Sequence, residues 1–444
     1  MSSGTARRSQ VPLAALALIA ALGIAMLRVT TLSDVGGVRL SADWALIDFQ
    51  STIYYPVRAF IDGVNPYDRD TYRAHYPGAQ TFPPFLPSTL LIHLPFGVMP
   101  LALAKMAYVA FSVGLIVLLG RAAVRANGAS SWTAALVAAA LVTLSRPGQW
   151  NLLLGQVTLQ AVLLSWVAIR FAQRMPWLSG LALGAAAFKP TFAIPIAVLM
   201  LARGDFKAVG VGVVSALALN LPIAAILELR AGAVQLLTQN PKEPYYSWAG
   251  SSDSAPNWSF YRIDLIALFG RIAGRPLSHG EEAVIMILVL AVAALLIRRI
   301  RGSEATTGHQ TLSEAIICIA TLLCVHHLDY DLLLLVFPFA ALVYRRVPGL
   351  LENAAVRRGV LCLFALMAAN YVSTHSVVDW LAPDASVTLA LASANSLTLV
   401  LTFAIYSLTA LRLPSARVVP AVEETSRAQD PWSRAEPVRA RDGG

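Results

Sequence analysis

The chain has 444 residues, 57% of them hydrophobic and only 13% charged, against about 25% charged in soluble globular chains. Apolar runs of about 20 residues recur along it, which excludes a soluble globular fold and predicts an all-α integral membrane protein with about twelve crossings. The formal net charge of +9 does not point to nucleic acid, because the arginines stand together at the ends of apolar runs: Arg7/Arg8, Arg121/Arg125, Arg170/Arg174, Arg298/Arg299/Arg301, Arg345/Arg346 and Arg357/Arg358. That is the positive-inside pattern of a multi-pass chain.

The first apolar run, Val11–Val29, follows Arg7 and Arg8. It is long and lacks a small-x-small cleavage site before a polar domain, so it reads as a retained span with the N-terminus inside. Next comes "ADWALIDFQSTIYYPVRAFIDGVNPYD" (Ala42–Asp68), crowded with acids, aromatics and turn residues. Helical spacing puts Trp44, Asp48, Ser51 or Thr52, and Tyr55 on one face. Pro56 fits the first position of a second short helix, and Gly63 with Asn65-Pro66 marks a turn. Asp48 stands out because Ile47 and Phe49 flank it; a carboxylate in apolar company at a membrane surface is partly desolvated and more basic. The competing reading, an interfacial helix with solvated acids, is favoured for Asp62 and Asp68. Tyr55, Arg58 and Asn65 are candidate substrate contacts. Asp68-Arg69-Asp70 has D-x-D spacing, but it follows a turn, where Asp commonly bonds backbone groups, and no metal is assigned to it.

Phe82–Pro100 is apolar yet holds Pro83, Pro84, Pro87, Pro95 and Pro100. Each removes a backbone donor, so a short juxtamembrane or re-entrant element is expected. The spans that follow are predicted over Leu101–Leu119, Trp132–Leu144, Gly155–Val167, Trp177–Phe188, Thr191–Leu201, Val209–Leu227, Glu282–Ile297, Leu312–Val325, Leu328–Tyr344, Val360–Val372 and Val387–Leu411. An alternative promotes Phe82–Pro100 to a full span and fuses Trp177–Leu201 into one helix. It would put Arg121, Arg125, Arg170 and Arg174 outside, so the charge rule favours the first arrangement. The outer face then carries the Thr30–Pro100 loop, the Ser145–Leu154 connection, the Arg230–Gly280 loop, the His326–Asp331 turn and Lys189, with both termini cytoplasmic. Residues 1–412 make one transmembrane domain, and 413–444, rich in Arg, Glu, Pro and Ala, is expected to be a disordered cytoplasmic tail. Cys318, Cys324 and Cys362 lie in apolar segments without metal spacing, and no internal repeat of the transporter kind is visible.

Four polar islands interrupt the apolar runs. Lys189, in "GLALGAAAFKPTF", needs an anionic partner or an interface, since a cation at mid-bilayer costs about 2.5–3.5 kcal/mol on insertion scales. Pro190 argues for a helix end, where the ammonium either snorkels or meets a phosphate. "CVHHLDYDLLLL" packs His326, His327, Asp329 and Asp331 together; the histidines lack the helical zinc spacing, but they suit hydrogen bonding to a phosphate, with Asp331 or Asp329 orienting an imidazole. A polar cap on a helical hairpin is the plainer reading. "RPGQWNLLLGQVTLQ" and "SAPNWSFYR" offer Gln149, Gln156, Asn257, Ser259 and Arg262 for hydroxyl or phosphate contacts, or as ordinary caps.

The pieces "DFQSTIYYPVRAFIDGVNPYD", "FPPFLPSTLLIHLPFGVMPL", "GQVTLQAVLLSW", "LSGLALGAAAFKPTFAIPIAVLML", "NWSFYR" and "HHLDYDLLLLVFP", in this order, resemble glycosyltransferase family 87 of the GT-C superfamily. "NWSFYR" departs from the Asn-Gln-Ser usual there. The resemblance implies a GT-C bundle with a conserved core of about seven spans and outer-face juxtamembrane helices. It also implies a polyprenyl-phosphate sugar donor, and Asp48 as the catalytic aspartate of the first outer loop. Lys189, His326 and His327 match positions near the lipid phosphate. Mannose, from family frequency, is the expected sugar, and a glycolipid or polysaccharide the acceptor. No cofactor, metal or nucleic acid is expected; membrane lipids are. The chemistry is self-consistent: the leaving group is already a phosphate, so it needs charge stabilisation rather than a general acid. One carboxylate then suffices to take the acceptor proton, with inversion from a β-linked donor to an α-linkage. A transporter or flippase of lipid-linked sugars and a polymer ligase are the rival classes; transporters place ionisable groups near the bilayer midplane, whereas here most cluster at one surface.

Overall fold

The computed structural model describes residues 3–31, 46–76, 85–231, 259–302, 307–350, 353–373, 377–378, 381 and 384–413. Among them every regular element is a helix; the one extended pairing is an isolated antiparallel bridge between Arg262 and Leu328. α1 (Ser3–Thr31) is followed by a continuous helical piece made of α2 (Ile47–Phe49), a π-turn (Gln50–Tyr54) and α3 (Tyr55–Ile61), then α4 (Arg69–His75). Two stubs, α5 (Ser88–Ile92) and α6 (Leu94–Gly97), meet at His93 and lead into α7 (Leu101–Ala126). The described part of Phe82–Pro100 is therefore no span, as its prolines predict.

Short helices dominate the middle of the chain: α8 (Trp132–Leu144), α9 (Arg146–Leu154), α10 (Thr158–Phe171), α11 (Pro176–Ala186) and α12 (Pro190–Arg203). The long α13 (Phe206–Ala231) follows, then α14 (Leu265–Ala273), α15 (His279–Gly302) and α16 (Thr307–Cys324). A 3-10 turn (Asp329–Leu335) runs into α17 (Val336–Val343), and α18 (Ala354–Ala369) and α19 (Ala385–Arg412) complete the order. Leu328–Tyr344 is thus not one helix, and the predicted Gly155–Val167 span starts only at Thr158, because Gly155 and Gln156 form the turn before it. Among the described residues, five helices are long and apolar enough to cross a membrane: α1, α7, α13, α15 and α19. The other apolar helices are shorter.

Local chemistry explains the boundaries. Ser131, Ser145, Asp264, Asn353 and Asp384 each cap a helix by accepting backbone N–H bonds, satisfying donors that the first turn leaves open. Gly180 and Gly184, four apart on α11, face Val211 and Ser215 of α13, where any Cβ would overlap the partner. This small-xxx-small stripe lets two helices approach closely in an apolar medium that gives no hydrophobic drive between them.

The helices share two ends. At one, Arg170 bonds Glu314 at 2.9 Å, Arg203 bonds the Ile169 carbonyl at 2.6 Å, Arg346 bonds the Asn127 carbonyl at 2.9 Å and Arg299 bonds the Leu411 carbonyl at 2.9 Å. These contacts gather the arginine-bearing termini of α7, α10, α12, α15 and α19 in one layer. Since α11 starts just after α10 ends there, and α12 returns there at Arg203, α11 and α12 form a hairpin with Lys189 at its far tip. A single fused helix over Trp177–Leu201 does not occur.

Candidate active site

At the opposite end from the arginine layer, the chain enters α2 through Leu46, held in the left-handed region at φ 60°. Such a conformation disfavours a residue with a side chain. It is fixed by the Leu46 N–H donating to the Leu153 carbonyl at 2.8 Å. Gly155 allows the approach: its φ is +70°, and a Cβ there would lie 2.6 Å from the Phe49 Cβ. Phe49 stacks on Tyr108 of α7 at 4.5 Å. Asp48, between these anchors, is half-buried. Its carbonyl accepts from the Thr52 hydroxyl at 2.6 Å, and its carboxylate accepts a hydrogen bond from the Gln156 side-chain amide. The π-turn starts two residues on; such bulges are frequent at functional sites.

Asp331 is the hub of a second layer. Its Oδ1 accepts from Lys189 Nζ at 2.5 Å and from the Thr158 hydroxyl at 2.8 Å. Its Oδ2 is 2.8 Å from His327 Nδ1 and accepts the Leu328 N–H at 3.3 Å. Lys189 Nζ also donates to Thr158 Oγ1 at 2.9 Å and lies over the rings of Phe192 and Tyr330, at 4.8 and 5.2 Å. His327 Nε2 is 3.2 Å from the Thr191 carbonyl. Lys189, Thr158, His327 and Asp331 are all buried. The two layers adjoin at the α9–α10 turn: Gln156, which donates to Asp48, stands two residues before Thr158, which bonds Lys189 and Asp331.

Two further buried ion pairs flank this core. Arg262 grips Asp264 through two bonds, at 2.9 and 2.7 Å, and the Asp264 carboxylate also accepts the His327 N–H at 3.3 Å. The antiparallel bridge beside them is closed by Ile263 N–H to the His327 carbonyl (3.0 Å) and Asp329 N–H to the Tyr261 carbonyl (2.8 Å). Arg146 meets Asp329 at 2.7 Å and donates to the Asn370 carbonyl. Each of these cations has its own acid, as does Lys189, so the formal charge of the described cluster is that of Asp48.

The structure brings Asp48, Gln156, Lys189, His327 and Asp331 together. Arg262 and His326 sit beside them, both under the influence of Asp264. Tyr55, Arg58 and Asn65 belong instead to the far side of the α2–α4 segment. Arg58 pairs with Asp62 at 3.0 Å on an exposed surface, Tyr55 packs edge-on to Tyr54 at 5.4 Å, and Asn65 accepts the Tyr67 N–H at 3.0 Å in a tight turn. The Tyr76 hydroxyl, donating at 2.6 Å, and then Arg58 hold the Asp62 carboxyl below the usual range. Asp68 caps α4 by accepting from Thr71 N–H (3.3 Å) and its hydroxyl (2.7 Å), which is the turn role its sequence context predicts. Asn257, Trp44 and the tail after Leu413 lie outside the described residues. Among the described residues, no group of three His, Cys, Asp or Glu side chains is arranged to hold a metal.

Sequence reasoning missed Thr158, Tyr330, Asp264 and Arg146. Thr158 and Tyr330 stand inside quoted motifs, two residues from Gln156 and between the two acids. Arg146 could have been found as the partner that Asp329 requires, since buried charges are paired. Lys189 was expected to be available for a phosphate, yet two of its three N–H donors are spent within the protein.

A model of glycosyltransferase family 87 matches residues 81–326, more than half of the chain. The chain belongs to glycosyltransferase family 87. Gln156, Thr158, Lys189, Arg262 and His326 fall within the matched part; Asp48, His327 and Asp331 flank it. No curated protein and no solved structure matches the chain. The family assignment makes this all-helical protein a membrane glycosyltransferase, with a donor and an acceptor to bring together.

Proposed function

We propose that this family 87 glycosyltransferase moves a single sugar, mannose as the first candidate, from a polyprenyl-phosphate donor to a glycolipid or polysaccharide acceptor at the outer face of the cell membrane. The observation that carries the reading is the pair of adjoining layers: a carboxylate on an outer segment, held by Gln156, beside a buried ammonium held by Asp331. Asp48 takes the proton from the acceptor hydroxyl as that oxygen attacks the anomeric carbon. The bond from that carbon to the phosphate oxygen breaks, and the lipid phosphate leaves with one more negative charge than it carried as a diester. Growing charge on the leaving group is what a fixed donor stabilises best. Lys189 supplies its third N–H; His327 shares the Asp331 carboxylate with it, and His326 precedes His327 in the chain. The outcome is inversion. The chain makes about twelve crossings, the short helices among them, with the arginine layer and both termini at the cytoplasmic side.

The test is incubation of membranes containing the enzyme with radiolabelled polyprenyl-phosphate mannose and, separately, polyprenyl-phosphate arabinose. Transfer from one of them, lost in Asp48→Asn, supports the reading. Movement of an intact lipid-linked sugar across the membrane without a new glycosidic bond would make the protein a flippase instead.

A further inference from the structure

Gln156 is well suited to contact a sugar hydroxyl, but the structure gives its side chain a different employment. It stands in the turn between α9 and α10, almost fully buried, with its backbone fixed from two sides: its N–H donates to the Asn151 carbonyl at 3.0 Å, and its carbonyl accepts from the Tyr108 hydroxyl at 2.9 Å. Gln160, four residues on in α10, is anchored on the stub helices: its Oε1 lies 2.9 Å from His93 Nε2, and His93 Nδ1 is 2.9 Å from the Thr89 carbonyl. The Gln156 side-chain amide, on a backbone so fixed, donates to Asp48.

We propose that Gln156 is a positioning residue for the Asp48 carboxylate, its own backbone held by Asn151 and Tyr108. The inference rests on the reading of Asp48 as the base. Its chemical sense lies in the kind of donor. A guanidinium or ammonium bonded directly to Asp48 would orient it but also suppress its basicity, since a cation next to a carboxylate strongly favours the charged form. A neutral amide fixes the carboxylate with less loss of proton affinity. The nearby cation, Lys189, is bound to Asp331 at 2.5 Å, and the donor that Gln156 offers to the Asp48 carboxylate is a neutral amide. Among the described residues, ionisable groups within reach of the Asp48 charge include Lys189 at the α11–α12 tip, Tyr330 on the 3-10 turn and Tyr108 on α7.

The experiment compares Gln156→Met, Gln156→Glu and Asp48→Asn with the parent enzyme in full-length form, reading kcat, donor KM and the acid limb of kcat/KM against pH. The limb position does not depend on how much enzyme is folded, so it survives a loss of yield. Gln156→Met should lower kcat about 10- to 100-fold, the range expected for a hydrogen bond to a charged group, with donor KM unchanged. The acid limb should move to higher pH, because a carboxylate that loses a donor holds its proton longer. Gln156→Glu should move it further, by like-charge repulsion. A fall in kcat with an unmoved limb in both variants would reduce Gln156 to a packing residue. A raised donor KM with unchanged kcat would make it a substrate contact. If Asp48→Asn retains transfer, the reading of the base fails, whatever the Gln156 variants do.

Discussion

The Lys189–Asp331 pair offers the sharpest test of how the site works, because two roles for Lys189 predict opposite results in one double variant. In Lys189→Met, Asp331 stays buried with Thr158, His327 and the Leu328 N–H but without its counter-charge. Removing one partner of a buried ion pair costs about 3–5 kcal/mol, mostly as the penalty on the charge left behind. Methionine keeps the length and suits the space between Phe192 and Tyr330. Adding Asp331→Asn removes the orphan charge while keeping an acceptor of the same shape, so thermal stability of the detergent-solubilised protein should recover by more than half. Transfer should not. If Lys189 also donates to the departing phosphate, losing that donor lowers kcat by about 10²–10³-fold, as for other preorganised donors at developing charge, and the double variant remains as slow as the single. Thermal unfolding and donor-dependent transfer, measured on the same preparations, separate the two roles. Recovery of turnover together with stability in Lys189→Met/Asp331→Asn would refute the phosphate role and leave Lys189 as a counter-ion alone.

Further expectations concern Asp48, the outer acids and the orientation. Asp48→Asn keeps shape but cannot accept a proton, so transfer should fall by about 10²–10⁴-fold while donor binding, measured by donor-analogue competition, persists; Asp48→Glu should also be poor, since reacting geometry tolerates little displacement. Asp62→Asn and Asp68→Asn should retain most of the activity. Because Tyr76 and Arg58 depress the Asp62 carboxyl in the folded protein, its contribution to stability is present above the ordinary carboxylate range and is lost as pH falls through the lowered value. Acid unfolding of Asp62→Asn should therefore show a weaker pH dependence than the parent on that side. An impermeant thiol reagent, used in a Cys362→Ser background, should label Ser251→Cys in intact cells and Ser415→Cys only after permeabilisation; the reverse pattern would invert the topology.

The legible parts of the sequence were those where one residue type forces one outcome. The proline run over 82–100 precluded a span, and Pro190 after Lys189 forced a helix end, which the hairpin confirms. Asp68 before Thr71 gave a cap. The illegible parts were decided by partners distant in the chain. Nothing near Lys189 indicates that Asp331, 142 residues on, takes its charge, or that Arg146 belongs to Asp329. Gln156 looked like a free polar side chain because its acceptor, Asp48, lies 108 residues earlier. Leu328–Tyr344 has the hydropathy of a span. It does not form one continuous α-helix because Asp329 and Asp331 are drawn to buried cations elsewhere in the fold, so the chain stays in a 3-10 turn through Leu335.

Helix length resolves the dilemma that Lys189 posed as a lone cation in an apolar run. α10 and α12 have 14 residues each, which at 1.5 Å per residue is about 21 Å, and both start at the site and end in the arginine layer. α7 and α13, with 26 residues each, run about 39 Å from the same layer. With parallel axes, and with the arginine layer at one interface as proposed, Thr158 and Lys189 would lie roughly 18 Å short of the far ends of the long helices, within a hydrocarbon core about 30 Å thick. A cation at that depth needs a partner, and Asp331 provides it. In the proposed reaction a phosphate on a lipid tail would meet the third N–H at a level where its own charge is poorly solvated and a fixed donor has the greatest effect. The α2–α3 segment carries Asp48 to the same site, anchored by Leu46 and Phe49 on the turn before α10. The carboxylate that would take the acceptor proton and the ammonium that would meet the leaving phosphate therefore stand on separate elements of one site.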